Sequence, residues 1–426
     1  RPAEAAPIDV TELPEHLAGL VLVAPAAGAG DAFLRDALAL LVRGGPALRA
    51  TGGGLLVTVS RLDGAFGLRE GNGEGLNGAE PATGGLAGFL KTAAHEWPEV
   101  ACKALDLPSH DVDLDAAARA VVEEALLHGP LEVGLPGGER IRLALEETPL
   151  VATGSAPFAP GDLVVVTGGA RGVTAEAAVA LAAAFRPARL LRGRSEGPSE
   201  EAPWLAGLRS AAEIKRALAA QQNGGASPRA IEAEYRRIAG ARAIRETLAR
   251  CEQAGATALY RSVDVRDADA VRSVVEAARA AHGPVRGVVH GAGVLRDALI
   301  EQKTPEQFDD VYGTKVEGLR AVLAAADGDD LRAIVLFSSS TGRFGRAGQV
   351  DYAAANEVLN KSALREAARR PGCRVVSVNW GPWEGGMVTD AHRRIFAAEG
   401  IGLIGLREGA EYLVRELSAG AGAPVE

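Results

Sequence analysis

Short apolar runs alternate with Ala- and Leu-rich runs of helical periodicity along the first part of the chain. Two apolar runs, Leu20–Ala24 and Leu55–Ser60, have the length and composition of buried strands, and Asp31–Val42 between them has helical periodicity. The segment Leu131–Leu145 has LPGG between two strand-like runs, which predicts a hairpin. This part of the chain is therefore predicted to form a truncated Rossmann-like unit with a terminal hairpin.

The same alternation continues through the second part of the chain. A Gly-rich turn follows its first apolar run and leads into a predicted helix over Ala175–Ala184. Buried strands that alternate with helices predict a doubly wound parallel sheet. The predicted strands are Leu163–Thr167, Ala258–Val263, Gly287–His290, Ile334–Ser338 and Val375–Trp380.

A Gly-, Pro- and Ser-rich stretch, Val151–Asp162, separates the two patterns and predicts a linker. The chain has 426 residues, a length typical of two or three domains. We therefore predict an α/β fold class with two Rossmann-like subdomains. A truncated one covers residues 1–155, and a complete doubly wound parallel-sheet one covers 156–426.

The connection from Ser195 to Tyr260 is longer than a strand–helix–strand crossover needs. It begins with Pro, Glu and Gly and continues with two helical stretches, Ala211–Gln222 and Pro228–Gly240. We interpret this connection as a helical insertion in the second subdomain.

The composition narrows the class of protein. The chain is 47% hydrophobic and 24% charged, which is typical of a globular protein, and its net charge of −9 disfavours a nucleic-acid partner. Its three cysteines lie far apart without a metal-ligand spacing, so we predict no disulfide, no metal site and a cytoplasmic location. No apolar run is long enough to predict a membrane span. Because the chain starts with Arg1 and its only methionine is Met387, we expect it to be a piece of a longer polypeptide.

The turn after the strand Leu163–Thr167 has the composition of a phosphate-binding loop. Gly168, Gly169 and Gly172 would let backbone amides at a helix N-terminus approach a pyrophosphate. Thr174 replaces the last glycine of the usual pattern, so the packing of helix on strand must accommodate a side chain there. Without further support, the same residues could form an ordinary glycine turn.

Basic residues near this loop favour NADPH over NADH. Arg194, with Arg192 beside it, follows the next short strand, where a cation would bind a 2′-phosphate, and Arg171 could reach the same group. Solvated surface arginines are the alternative. In the first subdomain, the similar turn with Gly28 and Gly30 has Phe33 in place of the third glycine, so we predict that no cofactor binds there.

Four residues form a candidate catalytic set. Ser339 follows a strand end, where ligands bind in such sheets, and Tyr352 and Asn356 share one face of a predicted helix. Lys315 lies on the preceding helix. A free tyrosine has a pKa of about 10, so it catalyses proton transfer poorly near neutral pH unless a nearby cation favours its phenolate.

These residues carry a family resemblance. The second subdomain resembles the short-chain dehydrogenase/reductase superfamily, whose ordinary members use Ser with Tyr-x-x-x-Lys. Here Asn356 stands in the lysine position and the lysine lies at 315, an exchange that resembles the ketoreductase domains of polyketide synthases and fatty-acid-type megasynthases. Supporting segments are Val288–Ile300, Phe337–Asn356 and Val378–Val388, together with Gly84–Leu107, which resembles the structural subdomain of those enzymes.

The resemblance implies a role for each catalytic candidate. Tyr352 would donate a proton to the reduced carbonyl oxygen, and Ser339 would hydrogen-bond that oxygen. Lys315 would lower the tyrosine pKa and hold the nicotinamide ribose, while Asn356 would position a water in the proton relay. The first subdomain would be structural and the second catalytic.

The resemblance also implies NADPH as cofactor and a set of residues that bind it. Asp264 and Val265 would meet the adenine, although Asp264 could instead be an ordinary strand-end cap. The implied cofactor-binding residues are Thr167, Gly168, Gly169, Arg171, Gly172, Val173, Arg194, Ser195, Asp264, Val265, Gly291, Ala292, Gly293, Lys315, Tyr352, Gly381 and Pro382.

Within this group the chain most resembles ketoreductases of polyunsaturated fatty acid synthases. The implied partners are a 3-ketoacyl substrate tethered to an acyl carrier protein and the other domains of the parent synthase. Asp297 occupies the last position of a motif typical of B-type ketoreductases, and Phe344 stands where A-type enzymes have tryptophan, although Arg296 departs from the B-type motif. The expected product is a D-configured 3-hydroxyacyl thioester.

Three points stay open in the sequence. The domain could be redox-silent or epimerising, or a free-standing reductase of small metabolites. The segment Trp383–Gly400 could form a lid over the acyl chain or a plain surface helix. A set of arginines could face an acidic carrier protein or be simple solvated charge; these are Arg343, Arg346, Arg393 and Arg394.

Overall fold

The chain forms two α/β sheets, each with helices packed on both faces. The computed structural model describes residues 13–25, 30–50, 52–69, 76, 79–110, 113–151, 156–193, 197, 201–221, 227–419 and 422–426. The α/β class with Rossmann-like sheets is confirmed. The predicted boundary between residues 155 and 156 adjoins residues outside these ranges and stays a prediction.

The first sheet has five strands in chain order, four of them parallel and the last antiparallel. One helix pair covers one face, and a single helix lies on the other. The elements are β1 (Gly19–Val23), α1 (Ala32–Arg49), β2 (Leu55–Leu62), α2 (Gly85–Glu96), β3 (Ala101–Pro108), α3 (Leu114–Ala125), β4 (Glu132–Gly134) and β5 (Ile141–Arg142).

The hydrophobic pattern does not predict strand β3, because charged residues interrupt its apolar run. The two charged residues of β3, Lys103 and Asp106, are buried and paired in the structure. Lys103 donates a hydrogen bond to Glu124 of α3 at 2.6 Å. Asp106 accepts hydrogen bonds from the backbone of Leu62 and of Phe66. A charged residue buried in a strand therefore needs a partner on a neighbouring element. The hydrophobic pattern of the sequence does not show which residue that partner is.

The second sheet has six parallel strands with α-helices between them. The elements are β6 (Leu163–Thr167), α4 (Gly172–Phe185), β7 (Ala188–Gly193), α5 (Ala211–Gln221), α6 (Pro228–Gln253), β8 (Ala258–Ser262), α7 (Ala268–His282), β9 (Val285–His290), α8 (Pro305–Tyr312), α9 (Gly318–Ala325), β10 (Ala333–Ser339), α10 (Ser340–Phe344), α11 (Val350–Arg369), β11 (Arg374–Trp380), α12 (Asp390–Ala398) and α13 (Leu406–Ser418).

The order of this sheet is β11-β10-β9-β6-β7-β8. The chain therefore starts in the middle, at β6, and winds outwards in both directions, which creates a crevice between the carboxyl ends of β6 and β9. All five predicted strands of this part are present. Apolar clusters on both faces of the sheet form its core.

The inserted connection contains α5 and α6, which pack on each other around Leu205, Ile214, Leu218 and Ile238. Helix α6 continues to Gln253, well beyond the predicted end at Gly240. Among the helices of the described ranges, none is both long and apolar enough to cross a membrane.

The two sheets are joined by the crossing of α2 with α11. The two helices share an apolar cluster, and Gly88 lies so close to α11 that a Cβ on it would be 2.6 Å from the Ala354 nitrogen. At the same crossing Lys91 forms ion pairs with Glu357 of α11 and with Glu132 of β4. The Lys91 side chain is only 1% exposed, so its charge depends on these carboxylates.

Replacing Lys91 with Met tests this joint. The change removes the cation that Glu132 and Glu357 share. Arg343 and Lys361 still neutralise them in part, so the free energy of unfolding should fall by about 2 kcal/mol. Urea denaturation measures the effect. Lys215→Met is the matched control, since Lys215 forms an exposed pair with Glu232 and its loss should cost less than about 1 kcal/mol. Equal stability of the two variants would contradict the role given to Lys91.

Candidate active site

A cavity of about 560 Å³ opens at the carboxyl edge of the second sheet. It extends across the crevice between β6 and β9 and reaches the ends of β10 and β11. One end is lined by the glycine turn after β6, and the other contains Ser339 and Tyr352. Its volume lies in the range typical of small-molecule and cofactor sites.

The glycine turn after β6 approaches the next strand closely. Gly168 has a φ of +71°, and a Cβ on it would be 2.7 Å from the carbonyl oxygen of Gly291, so only glycine fits. Helix α4 begins at Gly172 with its N-terminus at the cavity wall. The Thr174 side chain occupies the space that a Cβ on Gly291 would need, which explains how the helix accommodates a threonine in place of the usual glycine.

Beside the glycine turn, near the ends of β7 and β8, the cavity is lined by Arg171, Gly193, Tyr260 and Val265. The guanidinium of Arg171 lies against α6, because a Cβ on Gly240 would be 2.9 Å from its Nη1. Gly240, which the sequence analysis predicted to end a helix, therefore lies within α6 and leaves room for the Arg171 side chain.

The predicted cofactor residues fall into three groups. Residues on the cavity wall are Gly168, Arg171, Gly172, Val173, Val265, Gly291, Ala292, Gly293, Lys315, Tyr352, Gly381 and Pro382. Thr167, Gly169 and Asp264 do not line it, and the Asp264 carboxylate pairs with Arg266. Arg194, Ser195 and the side chain of Arg192 lie outside the described residues, as does Gly28 of the first subdomain.

Three of the four catalytic candidates meet in the cavity. Ser339 ends β10, where its Oγ accepts a hydrogen bond from the Thr341 amide at 3.1 Å. Tyr352 is on α11, and Lys315 is on a π-helical turn, Gly313–Glu317, of the kind that often occurs at functional sites.

Asn356 is buried one turn after Tyr352 and does not line the cavity. Its Nδ2 donates to the Tyr352 carbonyl at 2.7 Å. Its Oδ1 is buried with no hydrogen-bond partner among the described residues. Buried amide oxygens in proteins usually accept a hydrogen bond from the protein or from an ordered water.

Burial sets the ionisation of the two titratable groups. It lowers the pKa of Lys315 to about 7, and the Nζ donates to the Phe337 carbonyl at 2.9 Å. Burial also raises the pKa of Tyr352 to about 12, although the nearby Asn356 and Ser339 side chains oppose this effect. The Lys315 Nζ lies 5.1 Å from the centroid of the tyrosine ring. Tyr352 is therefore a protonated acid near neutral pH.

Sequence reasoning missed His290, which links the lysine to the glycine turn. One ring nitrogen, Nε2, lies 2.8 Å from the Lys315 carbonyl oxygen and must donate to it. Nδ1, 2.9 Å from the Thr167 hydroxyl, then accepts from that hydroxyl. Burial lowers the histidine pKa to about 3, so the ring is neutral. The signal in the sequence was a polar residue at the end of the apolar run GVVH.

The segment 383–401 forms the outer wall of the cavity through Trp383, Met387, Phe396 and other residues. Helix α12 within it has no buried residue. Its role as a lid stays a hypothesis.

The arginines considered for a carrier protein are largely paired within the chain. Arg343 pairs with Glu132, and Arg346 pairs with Glu399 at 3.1 Å. These two are therefore not free charges. Arg394 is exposed.

Comparison with known proteins gives relatives of one kind. Residues 163–385 match the family model described as the KR domain. A subunit of the polyunsaturated fatty acid synthase from Thraustochytrium sp. is 37% identical over 379 residues, which cover 84% of this chain and 13% of that protein. Polyketide synthase GfsB from Streptomyces halstedii is 42% identical over 142 residues, covering 33% of this chain and 2% of that protein. The chain thus spans a small part of these relatives.

Solved structures agree with this result. The ketoreductase from the first module of phoslactomycin biosynthesis in Streptomyces sp. HK803 is similar with a TM-score of 0.71 and 26% identity, covering 98% of this chain and 82% of that one. A ketoreductase domain from the bacillaene assembly line has a TM-score of 0.70 at 21% identity and covers 99% and 93%, which shows the fold.

The lowered pKa of Lys315 predicts a pH dependence of stability. The folded chain releases this proton near pH 7, whereas the unfolded chain keeps it up to about pH 10, so stability from this group rises with pH between these values. The difference in unfolding free energy between wild type and Lys315→Met, without cofactor, should shift in favour of wild type by about 2 kcal/mol from pH 7 to pH 9. Urea denaturation at each pH measures it, and a constant difference would contradict the lowered pKa.

Proposed function

The chain belongs to the ketoreductase (KR) domain family of polyketide and polyunsaturated fatty acid synthases, and on that basis we propose that it reduces a 3-ketoacyl thioester carried on an acyl carrier protein, with NADPH as reductant. The observation that supports this proposal most is that Ser339, Tyr352 and Lys315 converge on a cavity that also contains the glycine turn. The proposed product is the D-configured 3-hydroxyacyl thioester.

The residues at the β6 end of the cavity fit a nicotinamide dinucleotide. Gly168 and Gly172, both with positive φ, form a cradle that side chains would fill, and the α4 N-terminus lies beside it. Backbone amides there would bind the pyrophosphate. Arg171 would bind the 2′-phosphate at the end near Tyr260. When bound, the cofactor supplies the hydride that adds to the carbonyl carbon.

The chain's own residues supply the proton. The Tyr352 hydroxyl donates its proton to the carbonyl oxygen, and Ser339 donates a hydrogen bond to the same oxygen as negative charge develops on it. Because burial raises its pKa, Tyr352 is protonated at neutral pH and has a proton available for the developing alkoxide, which is a much stronger base. The positive charge of Lys315 would stabilise the phenolate left after transfer. A water held by the Oδ1 of Asn356 would return the proton to Tyr352.

Tyr352→Phe tests the proton donor. The variant loses only the hydroxyl, so NADPH oxidation at 340 nm with a 3-ketoacyl thioester mimic should fall by roughly a hundredfold or more. Tyr235→Phe, in the helical insertion, is the matched control and should keep wild-type turnover. Chiral chromatography of the wild-type product should give mainly the D-alcohol.

Each other result of this assay has a definite meaning. Unchanged turnover in Tyr352→Phe would contradict the assignment of the proton donor. Wild-type protein that binds NADPH but never oxidises it would favour a redox-silent or epimerising domain. A mainly L-configured alcohol would contradict the proposed stereochemistry while leaving the reductase proposal in place.

Arg171→Ala tests the preference for NADPH. Removing a guanidinium that binds the 2′-phosphate should raise the KM for NADPH by roughly tenfold to a hundredfold. The KM for NADH, which lacks that phosphate, is the internal control and should change little. Steady-state kinetics with each cofactor measure the effect. An equal rise for both cofactors would show that Arg171 acts on the loop rather than on the phosphate.

A further inference from the structure

Glu96 joins the first subdomain to two loops beside the active site. It is the last residue of α2, and its two carboxylate oxygens accept hydrogen bonds from different loops. Oε1 accepts from the Gly348 amide and Oε2 from the Ile300 amide, both at 2.7 Å. The loops also contact each other, since the Ala298 amide donates to the Gly348 carbonyl at 3.0 Å. One carboxylate thus holds both loops in a single arrangement.

These loops carry residues of the cavity wall. Gln349, next to Gly348, lines the cavity three residues before Tyr352, and Leu295 of the other loop also lines it. The Gln349 amide donates to the Asp297 carboxylate at 3.3 Å, so the two loops meet again at the cavity side. A shift of either loop would move Gln349 relative to the Tyr352 hydroxyl.

The position of Glu96 is electrostatically unfavourable for a purely structural residue. A carboxylate at a helix C-terminus faces the negative end of the helix dipole. Burial raises the Glu96 pKa, although the two amide hydrogen bonds and nearby Lys303 oppose this effect. The hydrogen bonds to the loops therefore offset a cost that a neutral side chain would not incur.

We propose that Glu96 is a positioning residue that fixes the wall formed by Leu295 and Gln349, and through it the orientation in which the ketoacyl chain enters. This inference rests on the proposed reductase function. Hydride and proton come from fixed places, so the face of the ketone that is reduced depends only on how the chain lies against the walls. The first subdomain would then contribute to specificity as well as to stability.

Glu96→Gln tests this role, because it keeps the size of the side chain but replaces one acceptor oxygen by an NH2 group that cannot accept from an amide. The loss of one of the two amide hydrogen bonds should release one of the two loops. With a 3-ketoacyl thioester mimic, KM should rise and the share of the minor enantiomer should increase, each by about tenfold. The kcat should change less than about threefold, since Tyr352 and Ser339 are untouched.

Glu123→Gln is the matched control. Glu123 lies on α3 of the same subdomain, is exposed and makes no described contact with either loop. Its KM and enantiomer ratio should equal those of wild type. Glu96→Asp gives a second variant, whose shorter side chain keeps the charge but reaches only one loop, so it should change the same two quantities. Circular dichroism and NADPH binding show that each variant is folded.

The outcomes separate this inference from the function on which it rests. No turnover by folded wild type would overturn the proposed function. Turnover by wild type together with wild-type KM and enantiomer ratio in a folded Glu96 variant would overturn the inference alone. A fall in kcat without change in KM or enantiomer ratio would also overturn it, because it would show a general loss of active protein.

Discussion

The buried ion pair between Lys91 and Glu357 is the constraint on which the arrangement of the two subdomains depends. Both charges are almost fully out of water, so each depends on buried partners: Lys91 also pairs with Glu132, and Glu357 also pairs with Lys361. Burial would raise the pKa of Glu357, but Lys361 and Lys91 together lower it to about 2, and the carboxylate stays charged. The close approach of α2 to α11 at Gly88 brings the partners together. Since α11 also carries Tyr352 and Asn356, two of the proposed catalytic residues, their position is set by a helix of the other subdomain.

The two ends of the cavity are supported by different additions to the doubly wound sheet. At the end that contains Ser339 and Tyr352, Glu132 of the first subdomain pairs with Arg343 of α10, the helix that directly follows Ser339. At the other end of the cavity, the inserted helix α6 holds the glycine turn and α4. The Thr247 hydroxyl donates to the Ala170 carbonyl at 3.1 Å, and Arg250 forms two hydrogen bonds with Glu176 of α4. The C-terminal part of α6 thus supports the loop proposed to bind the cofactor.

Most of the fold could be predicted from the sequence because its strands are apolar on both faces and read as short uninterrupted runs. The family resemblance is confirmed by comparison. What the pattern missed shares one cause: β3, His290 and the Lys91 network all place polar groups in the interior. A polar residue is predicted to be exposed unless its buried partner is known. Lys91 and Glu357 are far apart in the chain, so the sequence does not indicate that they pair. The predicted end of α6 was wrong for a related reason. Glycine commonly ends helices, but Gly240 lies within α6 and makes room for the Arg171 side chain.

The proposed catalytic residues themselves show where reasoning from residue types is incomplete. A tyrosine beside a lysine suggests a lowered tyrosine pKa, yet burial dominates both groups and moves the pKa of Tyr352 up and that of Lys315 down. Near neutral pH the tyrosine is therefore protonated, and burial disfavours the charged form of the lysine. Any ligand that brings negative charge or hydrogen-bond acceptors to Lys315 would favour its ammonium form and so make the phenolate less costly. The acid strength of Tyr352 would then depend on whether the cavity is occupied.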